Sequence, residues 1–333
     1  MVAPKGMKME NAGNEPPRTV SDGVKDSYYG IPAVKAPHWR WLVILYFFFG
    51  GMAGASFTIG TVANLVSEDK AIERAARYIT MAALLPCPPL LILDLGRPER
   101  FMNMLRVIKL KSPMSLGSWA LSGLGAAATA AAGVQLLCDV TGRDRFPGIR
   151  RAIGIAGLPF SIFLSGYTGV LLAVTNIPVW WRAFAFLSPT FVSSAYATAL
   201  TAIATVLNLS GHTSAETHRR LARAEAICAG AELTGLTLML LRLGRFGRPL
   251  RAGKVGLFFW PITVVSGILV PLGLQLSGPA RGIEVRSSRR WIAAGLTMVG
   301  GVSLRAVMIF AGRESANRPE DYFALTRGVR SGQ

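Results

Sequence analysis

Leu93–Trp119 reads LDLGRPERFMNMLRVIKLKSPMSLGSW. It closes one apolar run on an aspartate and crosses a loop with five cations, Arg97, Arg100, Arg106, Lys109 and Lys111. It then enters the next apolar run through Ser-Pro-Met-Ser. Apolar runs of this kind on both sides of a basic loop make the bilayer the relevant solvent. Working outward, eight such runs follow one another, each close to the roughly 20 helical residues that cross a hydrocarbon core. Their expected limits are Trp41–Val66, Ala75–Leu93, Ser115–Leu137, Ala152–Thr175, Pro189–Leu209, Ala224–Leu241, Val255–Leu276 and Trp291–Ala311. Pro86, Pro88 and Pro89 should kink the second run, and Pro159 and Pro261 could do the same to the fourth and seventh.

Composition agrees with an all-α integral membrane protein. The 333 residues are 51% hydrophobic and 16% charged, with a mean hydropathy of +0.40, too apolar for an ordinary soluble domain. The net charge of +18 sits between the runs, as expected for headgroup contact rather than nucleic-acid binding. Cation counts on the two sides are too similar to decide orientation. Gly, Ala, Ser and Thr are frequent within the runs, as in GGMAGAS at 50–56, where small side chains let helices pack closely.

Cys87, Cys138 and Cys228 are far apart and form no CxxC, which argues against an iron–sulfur cluster or zinc site held by this chain alone. His38, His212 and His218 all lie outside the runs, so a haem held by histidines from facing helices lacks ligands. No metal site is expected.

The ionisable residues inside or at the ends of runs are the candidates for chemistry, because a charge at a helix centre costs at least about 2.5–3.5 kcal/mol. They are Asp94, Glu225, Glu232 and Arg305, with Arg77 set aside as able to snorkel from a helix end. Glu225 and Glu232 are seven residues apart, two turns along nearly one face, with Arg305 the natural counter-ion. They form either a proton path or a buried ion pair that fixes packing. Asp-Leu-Gly-Arg-Pro is either a C-terminal glycine cap followed by proline or a site in which Asp94 pairs with Arg97 or Arg100. Tyr167, a phenol in an apolar run, needs a partner, which is either a quinone carbonyl or a neighbouring backbone group.

Several of these segments together resemble the NrfD/polysulfide reductase membrane-subunit family. The likeness rests on YYGIPAVKAPHWRW before the first helix, GGMAGASF within it, DLGRPERFMNMLRV…KSPMSLGSW, GYTGVLLAVTNIPVW and LRAVMIFAGRESA. It implies eight transmembrane helices arranged as two four-helix bundles. Residues 1–27 are then a disordered tail, 28–40 an interfacial segment, 41–175 the first bundle and 176–188 a linker anchored by Pro178, Trp180 and Trp181. The second bundle follows at 189–311 and a polar tail at 312–333. The resemblance also implies a quinone-reactive subunit of the bacterial inner membrane, with menaquinone or ubiquinone as an exchangeable substrate and no prosthetic group of its own. The implied partners are a ferredoxin-type 4Fe-4S subunit and, through it, a molybdopterin or multihaem catalytic subunit. Tyr167, Asp94 and Arg97 are the implied reactive positions, and Tyr167, Ser56 and Arg100 the quinone contacts. Two other readings remain, a secondary transporter suited by polar, proline-broken helices, and an anchor without quinone chemistry.

Overall fold

The structure is a computed structural model that describes residues 34–67, 69–143, 146–211, 214–277 and 287–330. The tail at 1–27, the first part of the interfacial segment and the side chain of Arg100 lie outside the described residues. All regular structure among the described residues is helical. Eight helices are long and apolar enough to cross a membrane: α1 Trp41–Val66, α2 Lys70–Asp94, α3 Pro113–Thr141, α4 Pro147–Ala173, α5 Phe184–Ser210, α6 Ala215–Arg251, α7 Gly253–Leu276 and α8 Ser288–Ala316.

Most helices start earlier than hydropathy alone suggested, and at α2 and α6 a polar side chain caps the early start. Asp69 accepts from the amides of Ala71 and Ile72 at 3.1 and 3.2 Å and starts α2. Ser214 accepts from Thr217 N at 3.0 Å and starts α6. Proline acts unevenly. The Leu85–Pro86 turn interrupts α2, whereas α4 runs on through Pro159 and α5 through Pro189. Around Pro261, α7 widens into a π-helix at Phe259–Leu269.

Successive helices alternate in direction, so α1 starts and α8 ends at one face, here the Arg40 face. The opposite face carries the start of α6 and is called the Arg219 face. α1 is the most enclosed helix and packs on α2, α4, α5 and α8. Its Gly54 lies against the backbone of Ser161 and Ser165 in α4, where a Cβ would clash. α5 packs on α6 and α8 and also on α1, α2 and α4, so it joins the first four helices to the last four.

One expectation is corrected here. Trp180 is not an interfacial anchor: it is fully buried, stacks on Trp39 with ring centroids 5.4 Å apart and donates to Met308 O at 2.9 Å. Gly312 leaves the space for its ring. The C-terminal segment continues α8 to Ala316 and then forms helix α9, Pro319–Arg330.

Candidate functional site

The Ser-Pro-Met-Ser turn shows why Leu93–Trp119 is built as it is. Ser112 stands at the N-cap of α3 and Pro113 at its first position, where its missing N–H is not needed. Ser115 Oγ accepts from Lys109 N at 3.0 Å and donates to Val107 O at 3.3 Å, tying the basic loop to the helix start. The Pro113 carbonyl, in the first turn of α3, also accepts from Tyr167, whose hydroxyl donates to it at 3.2 Å. Gly117, one turn on, has no side chain because the Tyr167 ring occupies that space.

Around this phenol the three helices α1, α2 and α4 bring a second phenol and a thiol. Tyr46 is buried beside Tyr167 and Cys87, and Phe163 lies at 5.7 Å from the Tyr167 ring. Gly50, one turn after Tyr46, faces Cys87 Sγ. The result is a buried cluster of two phenols and a thiol near the Arg40 face. Above it Met102, Val107, Ile108, Leu110 and Met114 are exposed on the same loop as Arg106, Lys109 and Lys111. Neither Tyr46 nor Cys87 is among the expected site residues; the one-turn spacing from Tyr46 to Gly50 is the signal that could have marked them.

Asp94 and Arg97 are not brought together. Gly96 does not adopt the left-handed conformation of a glycine cap; Leu95 ends the helix in an extended conformation. The cation whose field reaches Asp94 is Arg40, at the entry to α1, and Arg97 is exposed. Ser56 is also apart from Tyr167. It lies ten residues beyond Tyr46, about 15 Å along α1, fully buried with its hydroxyl unpartnered.

The second polar region lies deep among α5, α6, α7 and α8. Glu225 and Glu232 both line a cavity of about 10 Å³ together with Ser194, Thr198, Gln275 and Thr297. Thr201 Oγ1 donates to Glu225 Oε1 at 2.5 Å. Arg305 and Glu232 form no direct ion pair: Arg305 Nη1 donates to Ser194 Oγ at 2.9 Å and to Gly301 O at 2.6 Å, and Ser194 also faces Glu232. The guanidinium lies over the rings of Phe48 and Phe191, at 5.6 and 5.7 Å from their centroids, which offers cation–π attraction. Gly51 of α1 and Gly301 of α8 lie beside the guanidinium.

A third cluster was not expected. Arg77 does not snorkel: it is buried, paired with Glu73, and donates to Ala131 O at 3.2 Å. Nearby, Asp139 accepts from Tyr78 at 2.5 Å, Arg74 at 2.9 Å and Gln135 at 3.0 Å. Every partner is a neighbouring side chain or carbonyl, so this cluster staples α2 to α3. The i,i+4 spacing of Glu73 and Arg77 was legible as a helix pair.

Comparison with known families gives one match, the polysulphide reductase, NrfD, family model, over residues 33–315. No curated protein matches the chain. A match over most of the chain shows that it belongs to the NrfD polysulphide reductase family, and with its eight apolar helices it is an integral, multi-pass membrane protein.

Proposed function

We propose, from that family membership, that the chain is the membrane subunit of a respiratory redox complex. In this reading it exchanges electrons between the quinone pool of a bacterial inner membrane and a 4Fe-4S partner subunit. That partner serves a molybdopterin or multihaem catalytic subunit. α1–α4 form the bundle that receives the quinone head group, and α5–α8 the second bundle.

The observation that carries the quinone reading is the Tyr167 hydroxyl, held on the Pro113 carbonyl at the mouth of α3. The residues present fit a quinone. A phenol can exchange a backbone acceptor for a quinone carbonyl at little cost, since both are neutral hydrogen bonds of similar strength. Tyr46 adds a second phenol at the same depth, and the apolar walls suit a ring. A quinol brings two electrons and two protons to such a site. The chain orients the head group, keeps water from it, and holds a hydrogen-bond donor at Tyr167 Oη. The basic, apolar-rimmed loop 102–114 suits the docking of the cluster-bearing partner.

The test uses the complex purified with its partner subunits. Quinol should reduce the partner's clusters, and a quinone-site inhibitor should stop it. Tyr167→Phe should slow this step about tenfold, the worth of one hydrogen bond of about 1.4 kcal/mol, with membrane insertion unchanged. Unaltered turnover in Tyr167→Phe would remove Tyr167 from the site. Clusters that quinol never reduces would leave an anchor without quinone chemistry, and failure to co-purify with any redox partner would favour a transporter.

A further inference from the structure

We propose that the surface where α5 starts, α6 ends and α7 starts, at the Arg40 face, binds an anionic phospholipid. Arg242 and Arg251 hold its phosphate, and the leucines and aromatic rings beside them hold its acyl chains. The site needs only the membrane-spanning fold and is independent of the quinone reading.

Charge is the first support. Arg242, Arg245, Arg248, Arg251 and Lys254 follow one another closely, and Arg182 stands just before α5; all are exposed. The chain has no acid from 145 to 215 or from 233 to 283, so neither stretch supplies its own counter-ions. From α9, Asp321 lies in the fields of Arg245 and Arg248, and at the end of α8 Glu314 is paired with Arg318. Among the described residues no carboxylate lies within ion-pair distance of Arg242, Arg251 or Lys254.

Geometry is the second support. Arg242 Nε donates to Arg182 O at 3.0 Å, with the guanidinium over the Phe184 ring at 5.3 Å from its centroid. Arg251 folds back along α6, and its Nη2 donates to Leu240 O at 2.9 Å. Each bond takes one of the five N–H groups of a guanidinium and holds the side chain at the end of α6. The remaining N–H groups form a fork that matches two phosphate oxygens.

The groups beside these cations decide the class of ligand. Leu238 and Leu241 share a helix face with Arg242 and are exposed, as is Phe184. On α7, Leu257 and Phe258 lie one turn after Lys254 and are exposed too. These side chains continue from the cations toward the hydrocarbon. A soluble anion or an acidic protein surface would meet the charges alone, whereas a phospholipid meets both, its phosphate at headgroup level and its chains on the apolar groups. Basic pockets between transmembrane helices are a known form of such a site. Trp181, exposed just before α5, suits the same interfacial depth.

Native mass spectrometry of the full chain, released from micelles holding equal phosphatidylglycerol and phosphatidylcholine, tests this. Phosphatidylglycerol should be retained in preference. The preference should fall roughly twenty-fivefold in the double variant Arg242→Gln, Arg251→Gln, about fivefold for each cation. Either single variant, with about a fivefold loss, carries the test if the double one does not fold. Arg219→Gln with Arg220→Gln, at the opposite face where Glu216 meets both charges, should keep the full preference. Excess inorganic phosphate should not displace the lipid, because the acyl chains also hold it. Equal retention of the two lipids, an undiminished preference in the Arg242 and Arg251 variants, an equal fall in the opposite-face pair, or displacement by inorganic phosphate overturns the proposal. The preference should persist in the complex with its partner subunits; its loss there would give the surface to a protein and overturn the lipid site.

Discussion

Tyr167 is positioned by what its neighbours lack. Gly117 has no Cβ where the ring lies, and the Tyr167 hydroxyl donates to the Pro113 carbonyl in the first turn of α3. Gly117→Val should therefore displace the phenol and lower quinol-driven cluster reduction at least as far as Tyr167→Phe does, which stopped-flow spectroscopy of the complex would read. Glu73 and Arg77 make the opposite case, a pair whose partners are all present. Removing one partner strands the other charge, at a cost of roughly 3–5 kcal/mol. Glu73→Gln should markedly lower the thermal midpoint of the purified chain, and the double variant Glu73→Leu, Arg77→Met should recover most of it, since an apolar pair of similar volume is near neutral. A double variant as unstable as the single would show that the pair is needed for more than charge balance.

Among the helices, α2 depends on a polar cap that reaches across the fold. Asp69 caps α2 through two amides and also accepts from Thr217 Oγ1 of α6 at 3.2 Å. Asp69→Ala should cost about 1–2 kcal/mol, the loss of a cap and one further hydrogen bond, measurable by denaturation in mixed micelles. α7 meets α8 at Gly267 and Gly300, whose backbones touch with no room for a side chain. Gly300→Val should separate α7 from α8, break the Thr263–Ser303 hydroxyl contact of 2.7 Å and leave little folded protein in a size-exclusion profile. Pro261 was legible as a helix disturbance, but its outcome as a π-helix depends on the fit of α7 against α8.

Taken whole, the molecule is joined through α1 and α5 rather than divided between them. α5 packs on α1, α2 and α4 as well as on α6 and α8, and Arg305 of α8 lies beside Gly51 of α1. Residues 41–175 and 184–333 expressed as separate chains should therefore each aggregate in mild detergent. Their co-expression should restore a monodisperse species, and a stable half on its own would show that the shared core is dispensable. The eight spans, the break near Pro86 and the family were readable in the chain, because a bilayer admits only helices of a certain apolar length and because glycine and proline mark where backbones meet or bend. Glu225, Glu232, Arg305 and Tyr167 also stood out, since charge and phenol are rare within apolar runs. Their partners did not stand out. Ser194 between Arg305 and Glu232, Tyr46 beside Tyr167, and Arg40 as a cation whose field reaches Asp94 lie from about 40 to about 120 residues away along the chain. Hydropathy and spacing measure what one helix needs from its solvent. Which side chains then meet depends on helix rotation and crossing, and only the packed structure decides those.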